Sequence, residues 1–217
     1  KKLARWTYTR MGGFYWAGAY VCDDYVLVGS DDGKGGDSGT DGTLWMLDPV
    51  SGVLLDKLTG LRGDVRSTVS YDTQTKAFYF AAKGGGFYRV KTVQENGAWK
   101  LGKPDELVLD GMITCTPVVY NGRAYLGVGA LPQFGQYAGH HIAVIDLTSW
   151  KVAYTVETEG YPQTSGLLTT GYEQENGYVY VYFIDNYTPG KLRVIRDKAG
   201  LTAESYDYKT VEFGSDT

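Results

Sequence analysis

The chain has 217 residues, of which 43% are apolar and 21% are charged, so it is neither disordered nor fibrous. Its formal net charge of −4 argues against a nucleic-acid footprint, and no apolar run approaches the roughly 20 residues that span a bilayer. Thirty glycines, nineteen tyrosines and only six prolines are typical of an all-β protein with tight turns and aromatic strands.

The first predicted element in chain order is residues 3–9, LARWTYT, which has the pattern of an outermost strand. No strand with which it could pair lies upstream, so its partners are expected later in the chain. Pairing with the last strands of the chain would remove exposed sheet edges.

Four segments that follow share a small residue, a short apolar strand, a turn and a second strand with alternating or aromatic residues. Their starting points, at Gly18, Ser67, Thr116 and Ser165, are separated by equal intervals of 49 residues. Equal spacing across turns of different length indicates an internal repeat. The segments are GAYVCDDYVLVG, STVSYDTQTKAFYF, TPVVYNGRAYLGVG and SGLLTTGYEQENGYVYVYF.

A second shared pattern follows each hairpin, consisting of an alternating strand, a polar turn and another short strand. These segments start at Gly42, Gly85, His140 and Gly190, and read GTLWMLDPVSGVLLDKL, GGFYRVKTVQENGAWKLGK, HHIAVIDLTSWKVAYTVE and GKLRVIRDKAGLTAESY. No segment sustains a 3.6-residue apolar period, so we expect very little helix. One repeat therefore holds about four antiparallel strands.

Four strands in a repeat of this size are typical of a propeller blade, which buries its faces against neighbouring blades. The predicted fold class is all-β, a β-propeller of about four four-stranded blades within a single domain at 1–217. The repeats fall at approximately 12–60, 61–110, 111–160 and 161–217, and residues 1–11 supply the outer strand of a blade. The blades form either a small closed ring, or part of a seven- or eight-bladed ring that a second copy could complete.

The segment MLDPVSGVLL at 46–55 resembles the repeat of quinoprotein (PQQ-type) β-propellers, which runs approximately Ala/Leu-x-Asp-x-x-Thr-Gly-Lys-x-x-Trp. The segment VIDLTSWKVAY at 144–154 matches it again. In that copy Trp150 stands at the glycine position and Tyr154 at the tryptophan position.

The opening strands also resemble that family, through TPVV from Thr116 and GRAYLG from Gly122. The second copy is lengthened by QENG at 94–97, and the fourth keeps only Gly200 and the strand before it. The resemblance covers about residues 12–210 and implies a propeller fold.

The turn of this repeat has a physical explanation of its own. Asp48 and Asp146 leave a strand where a short acceptor can bond backbone amides two or three residues later, and Gly52 can supply a positive φ. We therefore interpret both aspartates as residues that hold turns, rather than as ligands.

A glycine- and aspartate-rich segment, SDDGKGGDSGTDG at 30–42, separates two predicted strands. Its carboxylates at Asp31, Asp37 and Asp41 are of the type that Ca²⁺ accepts. However, the spacing departs from D-x-[DN]-x-[DN]-G, and no bidentate glutamate follows. A solvated loop is the favoured interpretation of the Asp31–Asp41 segment, with Ca²⁺ binding as the alternative.

His140 and His141 are the two histidines of the chain. Adjacent residues of a strand point to opposite faces, so the pair cannot chelate one metal ion together. Without a third histidine or a nearby cysteine, a catalytic zinc site is unsupported. We interpret the pair as surface or turn residues, one of which could bind a ligand in a cleft.

Loop aromatics are candidates for a recognition surface, because rigid rings with a polar edge suit glycans and protein partners. Phe14, Tyr15 and Trp16 form one such group. Packing between blades is the alternative explanation for these rings. The remaining candidates are Phe134, Tyr137, Tyr161, Tyr172 and Tyr187.

Hydrolase and disulfide chemistry find little support. No G-x-S-x-G motif is present, and the carboxylate pairs at 23–24 and 105–106 stand in turn-like or linker stretches. Cys22 and Cys115 are 93 positions apart, which gives no CxxC metal spacing. We interpret them as small buried apolar residues, with a long-range disulfide as the alternative.

The resemblance leaves two functional classes open. The first is a non-catalytic binding or scaffold module of a secreted or cell-surface bacterial protein, with a protein or glycan partner. The second is a PQQ-dependent dehydrogenase or a fragment of one. Such dehydrogenases carry a vicinal Cys-Cys disulfide, a Ca²⁺ held by Glu, Asn and Asp, a catalytic aspartate and a chain more than twice this length.

No matching cluster can be assigned in this sequence, so we predict no catalytic residue, no metal ligand and no bound cofactor, and favour the binding module. The chain opens with Lys1-Lys2-Leu3 and lacks an apolar h-region there, so any signal peptide is expected to have been removed or to lie upstream. Self-association is expected if the ring is incomplete.

Overall fold

The protein is described here from a computed structural model that covers residues 4–33, 42–130, 139–202 and 207–212. Antiparallel strands dominate, and the described residues contain one short helix. The chain divides into two compact units, unit 1 at 1–108 and unit 2 at 109–217. Each unit holds two four-stranded sheets whose strands follow the predicted repeats.

Unit 1 begins with a sheet in which four consecutive strands pair in chain order. These strands are β1 (Tyr20–Val21), β2 (Val26–Ser30), β3 (Gly42–Leu47) and β4 (Leu54–Leu61). The two central strands are almost wholly buried, whereas half of the residues of the outer strand β4 are exposed.

The second sheet of unit 1 has the order β10-β7-β6-β5, so its outer strand does not directly follow the third one. A separate two-stranded hairpin of β8 and β9 is inserted between β7 and β10. The strands are β5 (Ser70–Asp72), β6 (Ala77–Ala82), β7 (Gly86–Val90), β8 (Thr92–Glu95), β9 (Ala98–Leu101) and β10 (Asp105–Val108).

The core of unit 1 lies between its two sheets. Leu27, Leu44 and Met46 of the first sheet are fully buried and belong to one cluster with Phe78 and Phe80 of the second. Burying such side chains contributes roughly 1.5–3 kcal/mol each, which is how two thin sheets stabilise one another.

Unit 2 repeats this architecture with two sheets, each pairing its strands in chain order. The first sheet holds β11 (Val118–Tyr120), β12 (Arg123–Val128), β13 (His141–Asp146) and β14 (Lys151–Glu157). The second holds β15 (Leu167–Thr169), β16 (Val179–Asp185), β17 (Lys191–Asp197) and β18 (Asp207–Glu212), with the helix α1 (Glu173–Asn176) in the β15–β16 connection.

A cluster between these two sheets forms the core of unit 2. Val144 and Val156 of the first sheet pack in it with Val181 and Phe183 of the second. The alternating strands of the sequence thus place their apolar residues against a neighbouring sheet, as the repeat predicts.

The repeat is visible in backbone contacts as well as in strands. In each sheet, the loop before the first strand is joined to the residue just after the second strand. The contact is a backbone hydrogen bond with an N···O distance of 2.8–3.1 Å. The paired residues are Gly13 and Asp31, Asp64 and Lys83, Met112 and Gly129, and Tyr161 and Asn186.

A side chain near this loop bridges to the second strand in two of the sheets. Ser67 Oγ accepts the amide of Ala81 at 2.8 Å and donates to its carbonyl at 3.0 Å. Cys115 occupies the equivalent position and bonds the amide of Gly127 at 3.2 Å. Cys115 therefore takes the place of a structural serine.

The predicted turns are confirmed. Asp48 Oδ1 accepts the amides of Val50 and Ser51 at 3.0 and 2.6 Å, and Asp146 Oδ1 accepts those of Thr148 and Ser149 at 3.1 and 2.8 Å. The residue after each serine has a positive φ, +72° at Gly52 and +55° at Trp150. Asp72 holds the β5–β6 turn in the same way, through the Thr75 amide and hydroxyl.

Two details of the predicted repeat are corrected. Residues 4–10 form no strand, and β18 is the outer strand of the fourth sheet. Trp6 and Tyr8 instead pack against the buried cluster of Val26, Trp45 and Leu47 in unit 1, so burial of aromatic rings fixes this segment.

The second correction concerns the short strand expected after the turn at 94–97. That strand is β9, which pairs with β8 outside the four-stranded sheet, and β10 occupies the outer position. The hairpin is anchored on the first sheet, since Leu101 N–H donates to Asp56 Oδ2 at 2.8 Å and the Trp99 ring lies 5.3 Å from that of Tyr25.

Candidate functional site

The strongest candidate site is at the end of unit 1 where β2 and β6 finish, which we call the loop end of unit 1. It is formed by residues 11–16, 31–33, 62–66 and 83–85. The loops meet there because the Asp64–Val65 segment bonds both sheets, through Ser30 O at 3.2 Å and Lys83 N at 2.8 Å.

An arginine bound by two carboxylates forms the centre of the loop end. Arg66 Nε and Nη2 bond Asp31 at 2.7–3.2 Å, and Nη2 also reaches Asp64 Oδ2 at 3.2 Å. The carboxylates are almost completely buried, while 19% of the Arg66 side chain is exposed. The guanidinium is therefore held rigidly with one side toward solvent.

Burial shifts the pKa values of two residues at the loop end, Asp64 and Lys83. It raises the pKa of Asp64, an effect to which the neighbouring Asp31 adds and which the Asp32 amide and Arg66 oppose. Burial likewise lowers the pKa of Lys83, while the nearby Asp31 carboxylate opposes this shift. Shifts of this kind occur at functional sites, although structural ion pairs produce them too.

Two residues of the candidate aromatic group at 14–16 cover the arginine. The Arg66 Cζ atom lies 5.5 Å from the ring centroid of Tyr15 and 5.2 Å from that of Trp16. These side chains remain 55% and 66% exposed. Phe14 packs against the Val26 cluster instead, so the structure separates a packing ring from two surface rings.

The calcium interpretation of the 30–42 segment involves the same loop end. Asp31 is bound to Arg66 there, and Asp37 and Asp41 lie outside the described residues. Within 4–33, 42–130, 139–202 and 207–212, no group of three or more His, Cys, Asp or Glu side chains could hold a metal ion.

The two histidines make separate contacts, as their adjacency predicts. His140 Nδ1 accepts the Ala130 amide at 3.0 Å, and its ring stacks on Tyr161 with centroids 6.2 Å apart. Burial lowers the pKa of His140, an effect that Asp185 opposes and His141 reinforces. His141 is 6% exposed with Nδ1 2.8 Å from Gly139 O, so the expected surface position is wrong for this residue.

The other candidate aromatics divide in the same way. Tyr161 is buried, and its hydroxyl accepts the Thr114 amide at 3.0 Å, so it serves packing. Tyr172 and Tyr187 are 54% and 49% exposed. Phe134 and Tyr137 lie outside the described residues.

Of the carboxylate pairs noted in the sequence, the pair at 105–106 forms ion pairs and the pair at 23–24 is exposed. Asp105 binds Arg89 at 2.8 Å, and Glu106 binds Arg62 at 3.0 Å and the Tyr88 hydroxyl at 2.7 Å. Asp23 and Asp24 are exposed in the β1–β2 turn.

Two buried charge groups in unit 2 were not predicted from the sequence. Asp185, at the end of β16, binds Arg193 at 3.0 Å, and burial raises the pKa of this aspartate. In the second group Arg123 lies 3.8 Å from Asp197 and from Asp146. The residues come from different strands, so no spacing along the chain signals their meeting.

The two cysteines do not match the vicinal disulfide of a PQQ-dependent dehydrogenase. Cys22 and Cys115 are both free thiols, and neither belongs to a vicinal pair. Cys115 is buried in its bridging role with its pKa raised by burial to about 12, whereas Cys22 is only partly buried.

No protein-family model matches the chain, and no curated protein shows significant sequence similarity to it. Among solved structures, BamB from Moraxella catarrhalis is similar with a TM-score of 0.54 at 16% identity, over 88% of this chain and 48% of that one. The quinohemoprotein alcohol dehydrogenase from Comamonas testosteroni gives 0.55 at 11%, over 91% of this chain and 35% of that one.

A putative 6-phosphogluconolactonase from Bacteroides uniformis is also similar, with a TM-score of 0.57 at 9% identity over 90% of this chain and 57% of that one. The chain thus has a β-propeller fold, as its repeats indicate. It spans about a third to somewhat over half of the length of these structures, and at such identities the likeness carries the fold alone.

Proposed function

We propose that the chain is a non-catalytic binding module of the PQQ-like propeller type, which recognises a protein or glycan partner through the loop end of unit 1. The observation that carries the proposal is the pair of exposed rings of Tyr15 and Trp16 over the Arg66 guanidinium. Exposed aromatic anchors beside an arginine are the residues that most often dominate binding energy.

The backbone of Trp16 supports a role beyond packing. Its φ is +59°, in the left-handed region, which is costly for a bulky side chain. A ring that is 66% exposed gains too little burial to explain this strain. Strained residues of this kind concentrate where a side chain must be presented to a ligand.

The arginine beneath the rings is preorganised for recognition. Asp31 and Asp64 hold Nε and Nη2, while Nη1 has no hydrogen-bond partner among the described residues. A ligand that accepts a hydrogen bond there meets a donor whose conformation is already fixed, which reduces the entropy cost of binding. Peptide carbonyls and sugar hydroxyls both offer such acceptors next to apolar faces.

The test is site-specific photo-crosslinking combined with a glycan array. A photoreactive phenylalanine analogue at Tyr15 should crosslink the partner protein, or the array should give hits with the unmodified chain. Either signal should fall at least about tenfold in Trp16→Ala, as for an aromatic anchor.

The matched control uses an exposed tyrosine of unit 2. The same analogue at Tyr172, and the variant Tyr172→Ala, should leave both signals unchanged. Equal crosslinking from Tyr15 and Tyr172, or binding unaffected by Trp16→Ala, would show that the loop end of unit 1 is not the recognition surface.

The dehydrogenase alternative has a direct test. Incubation with PQQ and Ca²⁺, followed by an alcohol and a redox dye, should give no quinone-dependent dye reduction above that of the free cofactor. Sustained reduction that requires the chain would overturn the binding-module proposal.

We further propose that the module acts at the cell surface or after secretion. We also propose that a second copy completes the propeller if one chain does not. The described residues include no helix that is long and apolar enough to cross a membrane. Fractionation of the source bacterium tests the location. Sedimentation equilibrium tests self-association, for which a monomer at all concentrations is the contrary result.

A further inference from the structure

The β8–β9 hairpin makes the second sheet of unit 1 different from the others. In the first sheets of the two units, the third and fourth strands are joined by short turns at 48–53 and 147–150. In the second sheet of unit 1, the corresponding connection runs over 91–104 and contains the hairpin. Insertions on a regular scaffold are where binding sites concentrate.

The base of this insertion forms a cleft. Lys91 O accepts the Gly102 amide at 2.8 Å, which draws the two ends of the insertion together beside the β5–β6 turn. The cleft has a volume of about 670 Å³, within the range of small-molecule sites. Its lining residues are Gln74, Thr75, Arg89, Lys91, Gly102, Lys103 and Asp105.

The charge of the cleft is opposite to that of the chain. Three cations line it, Arg89, Lys91 and Lys103, against the single carboxylate of Asp105, although the chain carries a net charge of −4. Asp105 binds Arg89 at 2.8 Å. Lys91 and Lys103 form no ion pair with any described residue, so a positive field of two lysines remains.

Gln74 and Thr75 add polar side chains to the lining of the cleft. Gln74 and Thr75 stand in the turn that Asp72 holds, through bonds to the Thr75 amide at 2.9 Å and its hydroxyl. Two ammonium groups that flank a concave, polar surface suit a ligand with several negative charges, since each can donate a charge-assisted hydrogen bond.

We propose that this cleft binds a small ligand that carries at least two oxyanion charges, namely a phosphate or sulfate ester. The site lies at the opposite end of the second sheet from Lys83 and the loop end of unit 1, because β6 starts beside the cleft and ends beside Lys83. It is independent of the proposed recognition surface.

The test is isothermal titration calorimetry with two probes, pyrophosphate and a trisulfated heparin disaccharide, at low ionic strength. At least one probe should bind, and binding should weaken as salt is added, because the lysines are exposed. Preference for pyrophosphate assigns the site to phosphate esters, and preference for the disaccharide assigns it to sulfate esters.

The variant Lys91→Gln/Lys103→Gln should raise the Kd of the binding probe by about tenfold, since two charge-assisted hydrogen bonds are lost. The matched control is Lys151→Gln/Lys209→Gln, which removes two exposed lysines of unit 2 and should leave the Kd unchanged. Far-UV circular dichroism checks that both variants fold.

Two results would overturn the proposal: no heat of binding with either probe, or an equal loss of affinity in the two lysine variants. The outcome is separable from that of the proposed function, because Trp16→Ala should not change the Kd of either probe. A Kd that rises in Trp16→Ala as much as in Lys91→Gln/Lys103→Gln would also contradict an independent site.

Discussion

Each unit contains an arginine between two aspartates, and the two groups differ in burial and geometry. In unit 1, Arg66 reaches Asp31 and Asp64 at 2.7 and 3.2 Å, and 19% of its side chain is exposed. In unit 2, Arg123 lies 3.8 Å from both Asp146 and Asp197, and 2% of its side chain is exposed.

The surroundings of the two arginines explain the difference. Arg123 donates Nη2 to the carbonyl of Leu201 at 2.7 Å, and the Tyr125 hydroxyl donates to Asp197 at 2.7 Å, so backbone and neighbouring side chains share the charge. Burial and the adjacent carboxylate raise the pKa of Tyr125 well above its usual value, which keeps this hydroxyl a donor. Above Arg66, by contrast, lie two solvent-exposed rings.

The same three charged groups therefore serve different purposes according to what covers them. In unit 2, Arg123 and Asp197 are buried beside the partly exposed Asp146, and the group joins strands. A group with one open side, under exposed aromatics, presents a fixed guanidinium. The substitutions below test this distinction.

The largest expected effect is that of Arg123→Met. It leaves Asp197, which is 0% exposed, without its cationic neighbour, and breaking a buried pair from one side costs about 3–5 kcal/mol. The free energy of unfolding in urea should fall by that amount. A loss below about 1 kcal/mol would show that Arg123 is not essential to the interior of unit 2.

The variant Arg66→Met should have a smaller effect on stability. Because 19% of the Arg66 side chain is exposed, its removal opens the two aspartates to water, and we expect a loss of about 1–3 kcal/mol. Binding to the partner should fall in the same variant, whereas Arg123→Met should leave the affinity of the folded fraction unchanged. Equal effects of the two substitutions on both quantities would remove the distinction.

The smallest expected effect concerns His140 of unit 2, which packs on Tyr161. The pKa of His140 is lowered by burial, so the unfolded chain takes up a proton at higher pH than the folded one. Stability from this residue is therefore complete above the ordinary histidine pKa and decreases as pH falls below it.

The substitution His140→Asn keeps an acceptor near Nδ1 and removes the titration. Unfolding free energies between pH 5 and pH 7 should depend less on pH in this variant than in the native chain, by an amount smaller than either arginine effect. An unchanged pH dependence in His140→Asn would show that the imidazole makes no such contribution.

The fold was predictable because the repeat is defined by patterns of residues that are close together in the chain. Equal spacing of Gly18, Ser67, Thr116 and Ser165, with alternating apolar strands between turns, leads to four similar sheets. The turns at Asp48 and Asp146 were predictable as well, since an Asx turn depends on neighbours two or three residues away.

The first residues of the repeats also form contacts that the sequence pattern does not predict. Gly18 N–H donates to Thr68 Oγ1 at 2.8 Å, and Thr116 N–H donates to Ser165 Oγ at 2.9 Å, so these positions join adjacent sheets. A Cβ at Gly18 would lie 2.8 Å from that hydroxyl, which explains the glycine there. The pattern indicated small residues, but their bonding partners come from the next repeat.

The candidate site was predictable only in part. Tyr15 and Trp16 were recognised as loop aromatics, but Arg66 and Asp64, about fifty positions later, carry no motif. The basic cleft was missed for the same reason, since Lys91 and Lys103 are brought together by a hairpin whose strands were expected to belong to the main sheet.

The sequence by itself determined the number of repeats, the positions of most strands and the chemistry of the turns, because each depends on residues close in the chain. The tertiary structure decided which charges are enclosed and which face solvent, where residues 4–10 pack, and that Cys115 replaces a structural serine. Burial and the pairing of distant side chains are properties of packed sheets, and no local pattern encodes them.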